Sequence, residues 1–253
     1  MKAHARLVAC FSDGRTILRE LRSMAPLTLF PKRGTGATAV VHLVSSATAP
    51  LGGDELLLSV HVGPGASLRL SGVAATIALP GLRGESSSST VDITVDAGGS
   101  LEYLPEPTVI TAHARHNALL RASLASDAYL HTREVLVLGR ANERPGHLTT
   151  TQHITRAETP VLRQTLTIGS DLDGSLAHLA GRRVLATDLV VGGPDLPAAS
   201  GEWWSRSPLA AGGTLTTSLA PDAVTALAGL GSGEKNPNVA FVSWELTKAT
   251  LGG

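Results

Sequence analysis

Two carboxylates stand four residues apart in the stretch Leu101-Glu-Tyr-Leu-Pro-Glu-Pro107, and a third follows at Glu134. Paired acids held about 5 to 9.5 Å apart are the equipment of glycoside hydrolysis. Glu102 or Glu106 working with Glu134 is therefore the first chemistry the chain offers. Sugar sites also present aromatic platforms, and this chain has only three Trp, two Tyr and three Phe for that purpose. The alternation supports a second reading. Leu101 and Tyr103 share one face of a strand and Glu102 points from the other, while Pro105 and Pro107 withhold backbone donors and end the ladder. Glu106, between the prolines, is then held extended and outward, at a shaped strand end.

Other chemistries find less support. The glycines of Gly229-Leu-Gly-Ser-Gly-Glu-Lys235 lack the frame of a phosphate loop, and Glu234-Lys-Asn-Pro-Asn238 starts a helix poorly. No G-x-S-x-G elbow is present, and Glu85–Thr90 reads as a polar, serine-rich loop. His113 and His116 have helical ligand spacing. They follow a proline-ended strand, however, where residues three apart point to opposite faces, so solvent-facing loop positions are expected. The single cysteine, Cys10, rules out an internal disulfide and a cysteine-based zinc site.

The elements that must position these groups are mostly strands. Of the 253 residues, 43% are apolar, 17% charged and 3% aromatic, which is a folding chain with an aliphatic core. Lys plus Arg and Asp plus Glu both number 21, so there is no basic excess for nucleic acid. No apolar run approaches the roughly 18 residues of a membrane span, and the broken start is unlike a signal peptide. A cytoplasmic protein is expected.

Asp13-Gly14 marks a hairpin. Leu56, Leu58, Val60 and Val62 share a strand face. An echo then appears: Val62 and Leu68 correspond to Val95 and Leu101, 33 residues on, and more weakly to Leu124 and Leu130. Such recurrence predicts strand-turn-strand units laid over one another in a coiled, β-helix-like architecture. Leu176–Gly193 is ambiguous between helix and strand. Pro221–Gly231 reads as a small helix near the C-terminus, with Val224, Leu227 and Leu230 as its apolar positions. Residues 238–253 read as a last strand and tail. With no linker or composition break, residues 1–253 are expected to form one mainly β domain.

Three phrases then align in order and spacing. Gly52–Thr76, Leu101–Ile110 and Arg133–Arg140 resemble the urease accessory protein family UreD, also called UreH, densely over residues 40–140 and thinly afterwards. The resemblance implies a non-enzymatic scaffold that binds apo-urease and recruits UreF, through which the GTPase UreG joins. It implies a layered β fold and nickel moving through a polar passage, as a transported ion rather than a tightly bound cofactor. The family pattern falls on Asp54, Glu102, Tyr103, Glu134 and Arg140, with Glu106 presented beside them. It implies Asp54 and Glu134 as acids meeting Ni2+ transiently, and Arg140 as a loop or partner anchor. Two positions depart from the pattern: Ile77 stands where lysine is usual, and His147 where a glutamate would fall. A generic β-rich interaction protein is the remaining alternative.

Overall fold

Period-two alternation decides the architecture. Across Glu55–Val62 the side chains of Leu56, Leu58, Val60 and Val62 are buried and those between them are not, as a strand with one covered face requires. The computed structural model describes residues 1–34, 36–169 and 171–231, so the stretch 238–253 lies outside the described residues.

In chain order the first strands are β1 (Lys2–Ser12), β2 (Arg15–Arg22), β3 (Leu27–Lys32), β4 (Ala39–Ser45), β5 (Glu55–Val62) and β6 (Ser67–Gly72). Next come β7 (Thr76–Ala78), β8 (Ser87–Val95), β9 (Ser100–Leu104), β10 (Thr108–Ile110), β11 (Arg115–Leu124) and β12 (Tyr129–Leu138). The last are β13 (His147–Arg156), β14 (Thr159–Ile168), β15 (Val184–Val191), β16 (Ala199–Ser200), β17 (Trp204–Pro208) and β18 (Thr214–Ala220), followed by the helix α1 (Ala223–Gly231). One sheet has the order β14-β13-β11-β8-β5-β1-β2, and the other β16-β17-β18-β15-β12-β9-β6-β4-β3, with β10 pairing β12 and β7.

The chain passes from a strand in the first sheet, through a turn, into a strand in the second, and then returns. Stacked coils of this kind make neighbouring strands parallel, as β5, β8, β11 and β13 are in one sheet and β4, β6, β9 and β12 in the other. The sequence echo is this stacking. Val62 pairs with Val95 and Val95 with Leu124, while Leu68 pairs with Leu101 and Leu101 with Leu130. All six face the space between the sheets, at 4% exposure or less. Each such burial stabilises the fold by about 1.5–3 kcal/mol.

The hairpin forms at Asp13 and Gly14, both with positive φ, as a tight two-residue turn demands. Three local expectations change. Glu85–Thr90 is not a loop throughout, because Ser87–Thr90 opens β8. The ambiguous stretch resolves as turns followed by β15, buried along nearly its whole length. On α1, Ala226 and Leu230 are the buried residues and Val224 is exposed. The helix lies on the outside of the second sheet, against Val135, Val184, Ala186 and Ala220. Asp222 caps it, accepting a 2.9 Å bond from the Thr225 N–H.

Between the sheets the two largest clusters of the core lie apart. One cluster holds Leu58, Leu101, Leu130, Ile154 and Leu189, and the other holds Ile110, Leu136, Leu148, Ile168 and Leu185. Polar side chains lie between them: Thr132 and Glu134 separate Leu130 from Leu136, Thr150 and Gln152 separate Leu148 from Ile154, and Thr187 separates Leu185 from Leu189. A polar belt therefore crosses the interior.

Candidate functional site: a polar opening between the sheets

The belt reaches the surface where the second sheet splays. Between the same two levels of the coil, β12 takes four steps, from Thr132 to Leu136. The β9–β10 segment takes five, from Tyr103 to Thr108, and β6–β7 takes six, from Leu70 to Thr76. One residue is added per coil. The additions fall in Leu104-Pro-Glu-Pro107 and in Gly72–Ala75, and between these levels no ladder joins β9 or β10 to β12 at Arg133–Val135. Such bulges break pairing and re-aim side chains.

A cavity of about 180 Å³ lies behind this gap, lined by Gly72, Ala74, Pro105, Glu106, Arg133 and Glu134 on the splayed side and by residues of both sheets deeper in. The two bulges are in close contact. A Cβ on Gly72 would stand 2.6 Å from the Glu106 backbone nitrogen, so glycine is required for this approach.

Glu134 is surrounded by protein yet keeps partial solvent access, because it faces the cavity. Its Oε1 accepts a 2.7 Å bond from Thr150 and its Oε2 a 3.2 Å bond from Gln152, both on the opposite sheet. Burial raises its pKa, and these two donors offset part of that rise. Tyr103, 8% exposed, lines the same cavity. Burial raises its phenol above the ordinary value, and the nearby Glu134 charge adds to the effect.

His116 also lines the cavity, at 3% exposure, which corrects its expected place on a solvent-facing loop. His113 does take such a place, exposed and with positive φ. The imidazole Nδ1 of His116 is 2.8 Å from Ser87 Oγ. Burial depresses its pKa to about 4, so the ring is neutral near pH 7. The signal for it was present in the sequence: His116, Ala118, Leu120, Ala122 and Leu124 form one alternating series, whose inward face includes the histidine.

The other expected residues are dispersed. Asp54 is 4% exposed and does not line the cavity. One residue before the Glu55–Ser88 pair, it comes level with Ser87 and thus joins the row of Ser87 and His116. Its carboxylate accepts from the Met1 ammonium group and, at 2.8 Å, from the Leu51 N–H. Glu102 points away from the cavity, on the outer face of the second sheet, paired with Arg69. Glu102 and Glu134 lie on opposite faces and cannot flank one glycosidic bond. Glu106 stands at the rim. Among the described residues, Tyr103 is the one Phe, Tyr or Trp that lines the cavity.

Arg140 lies apart, holding the β12–β13 loop. Its Nε is 3.1 Å from Glu143 Oε2, and that contact first of all lowers the Glu143 pKa to about 2. Arg133 does not pair with Glu134. It donates to Asp188 at 2.8 Å on the outer face, where His131 Nε2 meets the same carboxylate at 3.0 Å. Burial works to raise the Asp188 pKa, but His131 and Arg133 outweigh it and the net shift is downward. Ile77 is 43% exposed on β7, and His147 opens β13 with its N–H donating to the Ala114 carbonyl at 2.7 Å.

Residues 1–240 match the family described as UreD urease accessory protein. The chain belongs to the UreD family. It is 56% identical over 237 residues to "Urease accessory protein UreD 1" of Saccharopolyspora erythraea, covering 91% of this chain and 93% of that protein. It is 38% identical over 235 residues to "Urease accessory protein UreD" of Streptomyces coelicolor, covering 88% and 92%. With the protein of that name from Parafrankia sp. it shares 37% over 253 residues, covering 88% and 84%. The match runs well past residue 140, where the phrases that first suggested UreD thin out. No helix among the described residues is long and apolar enough to cross a membrane.

Proposed function

We propose that this protein is a urease maturation factor without catalysis of its own. It binds apo-urease in the cytoplasm and recruits UreF, through which the GTPase UreG joins, so that nickel reaches the urease active site. Membership of the UreD family over nearly the whole chain carries this reading. The opening at Glu134 supports the nickel part. Ni2+ accepts carboxylate, imidazole and water as ligands. A conduit must attract an ion without retaining it, so acids spaced along a polar path suit the task better than a closed cage. Glu134 offers such a carboxylate, steadied by neutral donors that leave lone pairs for a passing cation. Asp54 suits the role less well, since its oxygens are engaged by Met1 and Leu51. Glu106, with Pro105 beside it, stands where a partner would cover the opening.

The test is co-purification of the full chain with apo-urease and UreF, together with urease activation in a strain lacking it. Capture of both partners and loss of activation are expected. Capture of neither, with urease still activating, sinks the proposal.

A further inference from the structure

We propose that His116 makes this passage selective, presenting its Nε2 lone pair to the cavity so that a borderline divalent cation passes in preference to Mg2+ or Ca2+. The inference rests on the passage reading above and assigns it a residue that determines specificity.

A path lined by carboxylate and hydroxyl groups alone offers only oxygen, the ligand that Mg2+ and Ca2+ prefer. Glu134, Thr132 and Thr150 are of that kind. One neutral imidazole changes the preference, because nitrogen favours the later transition ions. His116 is the one histidine that lines the cavity. It is reached from Glu134 through a short succession of inward-facing residues: Thr150, which bonds Glu134, pairs across the ladder with Ala118, two residues beyond His116 on the same face.

Ser87 is placed to set the tautomer. Its Oγ is 2.8 Å from Nδ1, and its hydroxyl reaches the Arg115 carbonyl at 3.4 Å. A proton directed to that carbonyl leaves Oγ to accept from Nδ1–H, which places the lone pair on Nε2, on the far side of the ring. A partner on one ring nitrogen that fixes the other for a metal is how metal-binding histidines are oriented. Among the described residues no three His, Cys, Asp or Glu gather into a metal-holding group. The imidazole and the carboxylate share the cavity but fall short of a closed cage, as release requires.

The test uses the full chain and Ni2+ alone, whose paramagnetism broadens nearby NMR signals. In the parent chain, Ni2+ should broaden both the His116 ring protons and the Gln152 side-chain amide, which sits against Glu134. Excess Mg2+ should not reverse this. His116→Asn keeps a donor towards Ser87 but has no Nε2. In it, the same Mg2+ excess should clear the Gln152 broadening, with nickel preference reduced about tenfold or more. Ser87→Ala, which keeps the ring but frees its tautomer, should fall between.

A parent chain with Gln152 broadened and His116 untouched overturns the selectivity inference alone. So does a His116→Asn chain as resistant to Mg2+ as the parent. If neither signal responds, or Glu134→Gln leaves the Gln152 response unchanged, the passage reading fails and the inference falls with it.

Discussion

Glu134 and Thr150 join the two sheets through a 2.7 Å hydrogen bond across the polar belt. Glu134 stands on β12 and Thr150 on β13, so this carboxylate is held by the opposite wall of its own cavity. Because burial raises the Glu134 pKa, the folded protein holds this proton to a higher pH than the unfolded chain does. Its ionisation therefore costs stability as pH rises above the ordinary glutamate range. Glu134→Gln should raise thermal stability at neutral pH, on the order of 1 kcal/mol, the size of common stabilising changes. Nickel loading of urease should fall while partner capture persists. Calorimetry at pH 5 and pH 8, beside a urease activation assay, checks both halves.

His116 acts with the opposite sign. Its folded pKa of about 4 lies below the ordinary 6.5, so the unfolded chain takes up a proton first as pH falls. Stability is then lost between about pH 6.5 and 4, on the order of 3 kcal/mol, with no further loss from this group below that window. Urea midpoints measured across the window should show a steep acid limb that His116→Asn flattens.

Gly72 and Glu106 meet backbone to backbone where the two bulges stack. Gly72→Ala forces a Cβ into that contact and should cost about 1–3 kcal/mol, as overpacking does. Loss of partner capture should exceed what this destabilisation explains, because the rim itself shifts. Pull-down compared with a variant matched for stability elsewhere separates the two effects.

Leu101 is fully buried at the centre of the stacked row, whereas Leu82 is fully exposed. Leu101→Ala should cost about 2–5 kcal/mol and Leu82→Ala less than about 0.5 kcal/mol. Equal effects in chemical denaturation would contradict the coil register.

Much of this fold was readable from Val62, Leu68 and their counterparts 33 residues on, because coils that stack in register must repeat their inward residues. The outward course of Glu102 was equally legible, from simple alternation with Tyr103. His116 was harder, since a turn at Thr111–Ala114 resets the alternation and only the whole series to Leu124 shows which face it takes. The splay could not be read from one strand at all. It exists in the difference between three segments, and that difference appears only when all three are paired.

That graded excess behaves like a dislocation in a crystal, an extra half-row wedged into otherwise matched layers. From Tyr103 to Thr108 the chain takes five steps against four on β12, and yet Tyr103 and Ile110 both face inward. Removing the single residue Glu106 would match this segment to β12, four steps against four, closing the seam over Glu134 and moving the whole excess to the β6–β7 side. The extra residue thus contributes nothing to regular pairing, and its effect is to keep a gap in the wall. A shortened chain that folds well and no longer matures urease would show that the irregularity itself is what the protein needs in order to work.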